Sequence, residues 1–151
     1  HVRQDCKKEE WKLEAQETHG ITWEMNQEKG IDPDLVYKEF FLDFKSCNII
    51  CGHNVQFDIN VVRSDSLRRY ETDMWGNKEP ICTMKSATQY CAFPKPSGYG
   101  FKWPKLTELY LHLFNKEMED AHDALGDVRG CMESYFELKR LGVIADVTQK
   151  S

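Results

Sequence analysis

The chain has 151 residues, of which 30% are charged and 40% hydrophobic, and a formal net charge of -5 at pH 7. That length and balance fit one folded domain with a real core and exclude a disordered polymer. The negative charge argues against a constitutively basic nucleic-acid surface, yet leaves room for an acidic site that bound cations neutralise. No apolar run approaches the roughly 18 residues that a membrane-crossing helix requires, and no signal-peptide pattern opens the chain.

The six cysteines (Cys6, Cys47, Cys51, Cys82, Cys91 and Cys131) contain no CxxC pair. They read as buried, reduced thiols, which implies a cytoplasmic protein. A zinc-binding interaction domain built on Cys51 and His53 is a weaker reading, because no second ligand pair of suitable spacing accompanies them.

In chain order, "HVRQD" reads as the tail of a strand followed by a loop. The segment "KKEEWKLEAQETHGIT" predicts a helix with Trp11, Leu13 and Ala15, stopped at Gly20. Thr22 can cap the short turn "WEMNQEKG". In "DPDLVYKEFFLDFKS", Asp32 suits an N-cap and Pro33 the first helical position, with Val36, Phe40 and Phe44 repeating every four residues. "CNIICGHN" is a short apolar run bounded by polar residues, as in a buried strand. A helix follows from Asn54, with Phe57, Val61 and Leu67 as its apolar positions. A strand running directly into a helix is the basic unit of an α/β sheet.

Further on, "EPICTMKSATQYC" predicts a short strand or turn and then a helix. "AFPKPSGYGFKWP" is a loop by its prolines, glycines and aromatics. "PKLTELYLHLFN" predicts a helix from Pro104 whose apolar face holds Leu106, Leu109, Tyr110, Leu113 and Phe114. The last helix, in "AHDALGDVRGCMESYFELKRLG", is expected to bury Ala124, Val128, Cys131, Tyr135 and Leu138, and to end at Gly142. One compact α/β domain over residues 1–151 is the expectation.

Two stretches carry candidate chemistry. In "CGHNVQFD", Asn54 is placed to cap the helix and Asp58 lies about one turn in, at the carboxyl edge of the sheet, where open α/β sheets bind ligands. A carboxylate there can hold a divalent cation. Taken alone, Asp58 more simply favours the positive end of the helix, worth about 0.3–1 kcal/mol. In "AHDALGDVRG", His122 and Asp127 are five residues apart, about 140° around an ideal helix. They converge only if His122 precedes the helix and Asp127 sits in its first turns, with Asp123 as N-cap and Gly126 allowing close approach.

In combination, "ETHGITWEM", "GHNVQFD", "KWPKLTELYLHLF" and "AHDALGDV" resemble, in correct order, the DEDDh family of 3′–5′ exonucleases, the DnaQ-like group. The resemblance runs from about residue 1 to residue 142. By position, Asp58 corresponds to the aspartate of the family's second motif, Asp127 to its last aspartate and His122 to the histidine five before it. Asp123 stands where the sister subgroup has a tyrosine. The resemblance implies a ribonuclease H-like mixed sheet flanked by helices, with two divalent cations (Mg2+ or Mn2+) held by Asp58 and Asp127 and with His122 as general base. It also implies release of nucleoside 5′-monophosphates from single-stranded DNA or frayed 3′ ends, as in proofreading or repair, with RNA possible and a larger polymerase or repair assembly as a partner. Ile21, Thr22 and Asn54 correspond to positions near the substrate, although each also has a local structural role.

The family's first motif, Asp-x-Glu on the opening strand, has no counterpart here. Asp5, Glu9 and Glu10 do not match it. Together with the opening His1, this predicts a natural protein with a further N-terminal stretch that carries two more carboxylates and the first strands of the sheet, so the 151 residues alone are expected to be close to inactive. A non-catalytic module that uses the same fold to bind nucleic acid or protein, and an RNA-trimming exoribonuclease, are the alternatives. Tyr99, Phe101 and Trp103 can stack on bases, although packing onto the core is the commoner use of such side chains. Arg63, Arg68 and Arg69 can reach phosphates or form a solvated face.

Overall fold

The computed structural model describes residues 1–4, 6–119, 121 and 123–145, and the backbone alone of residue 18. Among them are seven α-helices and a two-stranded parallel sheet, a mixed α/β architecture. The chain divides into two compact units, residues 1–48 and 49–151. No helix among the described residues is long and apolar enough to cross a membrane.

In the first unit the expected opening strand is a single parallel bridge, Val2 to Ile31, carried by Arg3 N–H to the Ile31 carbonyl (2.8 Å) and Ile31 N–H to the His1 carbonyl (2.9 Å). A 3-10 turn at Lys8–Glu10 precedes α1 (Leu13–His19), so Trp11 lies outside the helix predicted to contain it. Gly20 ends α1 in the left-handed conformation (φ 70°), as expected of a glycine stop. Thr22 caps α2 (Trp23–Lys29) by accepting from Met25 N–H at 3.1 Å. Asn26 of α2 is buried, and its amide exchanges two hydrogen bonds with the backbone of Gln4, at 2.8 and 3.1 Å. That pairing offsets the cost of burying an amide.

Asp32 caps α3 (Pro33–Ser46) through Asp34 N–H (2.9 Å), and Pro33 opens the helix. The buried face of α3 is Pro33, Phe41 and Phe44. Phe40 is exposed, contrary to the four-residue repeat, and its ring instead lies against those of Phe41 and Phe44. A one-residue step rotates the face by about 100°, so only one of two adjacent phenylalanines can point inward.

The second unit contains β1 (Cys51–Gly52), α4 (Val55–Tyr70), β2 (Ile81–Cys82), α5 (Thr83–Cys91), α6 (Leu106–Phe114) and α7 (Ala124–Arg140). β1 and β2 are parallel, with Cys51 opposite Ile81 and Gly52 opposite Cys82. Helix α7 packs on α5, α6 and β1. The core between them is built on Ala87, Cys91, Leu109, Tyr135, Leu138 and Ile144. The loop before α6 is folded as a hairpin-like turn with an antiparallel bridge from Pro94 to Phe101.

Two apolar faces differ from expectation. Phe57, Val61 and Leu67 of α4 are exposed (Phe57 by 66%), while Val55, Ile59 and Ser66 are buried. Phe57 is two positions from Val55, about 200° around the helix, and so points away. On α7, Cys131, Tyr135 and Leu138 are buried as predicted, but Ala124 and Val128 are exposed. The buried stripe runs instead through Gly126, Gly130 and Ser134, small residues that a search for bulky apolar side chains passes over. Gly142 terminates α7 in the left-handed region (φ 73°), its N–H bonded to the Lys139 carbonyl and that of Val143 to the Leu138 carbonyl.

Candidate active site

β1 ends at Gly52, and the next three residues place the site. Asn54 takes a left-handed conformation (φ 64°, ψ 37°) and its side chain makes no capping bond. Its expected role as a side-chain cap therefore does not hold, because a capping residue needs extended dihedrals to turn its oxygen toward the first-turn amides. Its carbonyl accepts from Phe57 N–H at 2.9 Å instead. Asp58 stands in the first turn of α4, and burial pushes its carboxyl pKa up, only partly offset by a backbone amide.

Asp127 occupies the first turn of α7, half-buried, behind the N-cap Asp123. Asp123 accepts from Leu125 N–H (3.1 Å) and Gly126 N–H (3.3 Å), as its position predicted. The Asp127 carboxylate acts electrostatically on His53, one residue beyond the end of β1. Two helices thus present first-turn carboxylates around the carboxyl end of one strand, where the positive helix termini favour negative charge. α7 begins at Ala124; His122 lies outside the described residues.

His53 emerges as a structural centre of this edge. Its Nε2 lies 2.9 Å from the Pro104 carbonyl and its Nδ1 3.0 Å from Thr83 Oγ1. Burial lowers its pKa, against the smaller opposing effects of the Pro104 carbonyl and of Asp127. The neutral ring therefore carries its proton on Nε2 and donates to Pro104, while Nδ1 accepts from Thr83. Thr83 is fully buried, and its single proton is shared between that nitrogen and the Gly52 carbonyl at 3.2 Å. Both ring nitrogens of His53 are engaged in hydrogen bonds, and among the described residues no group of three His, Cys, Asp or Glu could hold a metal. Sequence reading missed the His53–Thr83 pair. The one available signal was that "GH" and "CT" both end short apolar runs, which parallel pairing would bring side by side.

Ile21 and Thr22 belong to the first unit. Ile21 is half-buried and its N–H donates to His19 Nδ1 at 3.0 Å, while Thr22 caps α2. The arginines of α4 face intramolecular carboxylates: Arg63 meets Asp73, and Arg68 and Arg69 both meet Asp65, at 2.9–3.1 Å. Tyr99 and Trp103 are exposed by 87% and 62%, so packing onto the core does not account for them. All six cysteines are free thiols, but only Cys91 and Cys131 are buried.

Helix-borne carboxylates at the carboxyl end of a parallel strand define an α/β protein with an acidic edge site. Residues 1–135 match the RNase_T family model, described as exonuclease. The chain belongs to this exonuclease family, of the DnaQ-like, ribonuclease H-like superfamily. No curated protein and no solved structure matches it.

Proposed function

We propose that this chain is part of a DEDDh-type enzyme that hydrolyses the terminal phosphodiester bond at nucleic-acid 3′ ends and releases nucleoside 5′-monophosphates. The observation that carries the reading is the placement of Asp58 and Asp127 in the first turns of two helices at the end of β1, within a chain of the exonuclease family. The family match crosses the boundary between the two units, which supports one exonuclease domain over residues 1–151.

Asp58 and Asp127 fit divalent cations by donor chemistry, since Mg2+ and Mn2+ take oxygen ligands. The raised pKa of Asp58 points the same way: burial penalises its charge, and a cation would relieve that penalty. One or two such ions, when bound, would neutralise charge on the scissile phosphate and make a bound water more acidic. His122 would accept the proton of the attacking water, a role suited to an imidazole near neutral pH. Asn54, between β1 and α4, would contact the terminal nucleotide. Tyr99 and Trp103 offer rings on which bases can stack.

The first arm of the test is Mn2+ binding by the 151 residues, followed by paramagnetic broadening or calorimetry. Binding is expected to weaken in Asp58→Asn and Asp127→Asn. The second is hydrolysis of 5′-labelled DNA and RNA oligonucleotides by a form that also carries an Asp-x-Glu segment. A ladder of products shortened from the 3′ end is expected, with DNA preferred under a proofreading or repair role. Both asparagine variants and His122→Ala should lose at least about a hundredfold in rate. If the 151 residues alone cleave as fast as the longer form, the assignment of ligands fails. If the longer form binds oligonucleotide without cutting it, the non-catalytic reading takes its place.

A further inference from the structure

The segment between α5 and α6 differs from the rest of the chain in charge. Residues 93–105 carry Lys95, Lys102 and Lys105 and no Asp or Glu, in a chain whose net charge is -5. The same stretch presents Tyr99 (87% exposed), Trp103 (62%) and Phe101 (37%) to solvent. Rings left in water forgo the gain that burial would bring. The arginines of α4 face intramolecular carboxylates, whereas this segment supplies cations without an acidic residue of its own.

The backbone beneath these rings is hydrogen-bonded in place. Lys102 N–H donates to the Phe93 carbonyl at 2.8 Å, Lys95 N–H to that of Gly100 at 3.3 Å, and Gly98 N–H to that of Lys95 at 2.9 Å. Gly98 and Gly100 take left-handed dihedrals (φ 77° and 71°), which turn the chain on both sides of Tyr99. Lys102 pairs with Glu108 of α6 and lies over the Phe93 ring, 5.7 Å from its centre. At the other end the Pro104 carbonyl accepts from His53, which follows β1. The hairpin is thereby fixed to the end of β1 from which α4 and Asp58 start.

We infer that residues 93–105 form a platform for single-stranded nucleic acid, with bases stacked on Tyr99 and Trp103 and phosphates set against Lys95 and Lys105. Lysines attract the phosphate backbone, and exposed rings stack on bases. Bases within a duplex are already stacked on one another, so only unpaired bases offer a free face to these rings. Every base has such a face, so the platform reads strandedness and not sequence. A backbone already held by hydrogen bonds lowers the ordering cost of binding. The inference extends the nuclease reading and rests on it for the placement of the 3′ end at the acidic edge. Strand binding itself needs neither metal nor cleavage.

The test is fluorescence anisotropy of 5′-labelled oligothymidylate of about fifteen nucleotides, mixed with the 151 residues in EDTA, with a duplex of equal length as control. Tighter binding of the single strand is expected. Tyr99→Ala and Trp103→Ala should each weaken it about tenfold, and Trp103→Phe, which keeps a ring, should restore most of the loss. Lys95→Gln should reduce the slope of log affinity against log salt by about 0.7. Mn2+ binding by these variants should match the wild type. No binding, equal affinity for duplex, or alanine variants that bind like the wild type would overturn the inference. Those results leave the assignment of Asp58 and Asp127 standing. Conversely, ring-dependent strand binding with Mn2+ affinity unchanged in Asp58→Asn and Asp127→Asn would sustain the platform and sink the metal ligands.

Discussion

His53 shows how one side chain organises the site edge without holding a ligand. Parallel pairing of Gly52 with Cys82 sets the next residues, His53 and Thr83, side by side, and the imidazole then reaches across to Pro104. Its folded pKa lies below the ordinary 6.5, because burial disfavours the imidazolium. As the pH falls below that value the unfolded chain takes up a proton before the folded one does. The stability linked to neutral His53 is therefore complete above about pH 6.5 and is lost as the pH drops through the lowered value. Urea midpoints measured from about pH 7.5 to about pH 5 are expected to fall in the wild type. In His53→Gln, which cannot titrate, the profile should be flatter.

At the level of elements, the site depends on how helices begin. α4 starts after a left-handed asparagine without a side-chain cap, so its first turn is held by backbone and packing. α7 starts with Asp123, whose carboxylate takes two first-turn amides, and this cap sets the turn that carries Asp127. Asp123→Ala is expected to cost about 1 kcal/mol, read from urea denaturation. Asp123→Asn should recover most of that loss, because it keeps an oxygen acceptor. Asp58→Asn removes a charge that burial penalises, so thermal stability without metal should be unchanged or higher while Mn2+ binding falls. A stability loss of Asp58→Asn equal to its binding loss would mean that Asp58 serves the fold.

At the scale of the whole chain, Phe41 and Phe44 are the buried aromatics of the first unit, whereas Leu109 and Leu138 anchor the core of the second. If both units form one domain, Phe41→Ala and Leu109→Ala should each lower a single unfolding transition, by about 3–5 and 2–5 kcal/mol. Far-ultraviolet circular dichroism and tryptophan fluorescence should report the same midpoint; two separate transitions would refute the one-domain reading. The caps Thr22, Asp32 and Asp123, the stops at Gly20 and Gly142, and the order of helices were legible in the chain, because a cap or stop is decided by a few neighbouring residues. The ordered motifs around Asp58 and Asp127 likewise pointed to the exonuclease family before any coordinates, and the family match agrees. Which phenylalanine of α3 turns inward, the exposure of Phe57, the glycine stripe of α7 and the meeting of His53 with Thr83 and Pro104 were not legible. Each depends on the rotational phase of a helix or the register of a strand pair, which packing against distant segments decides and no local run of residues encodes.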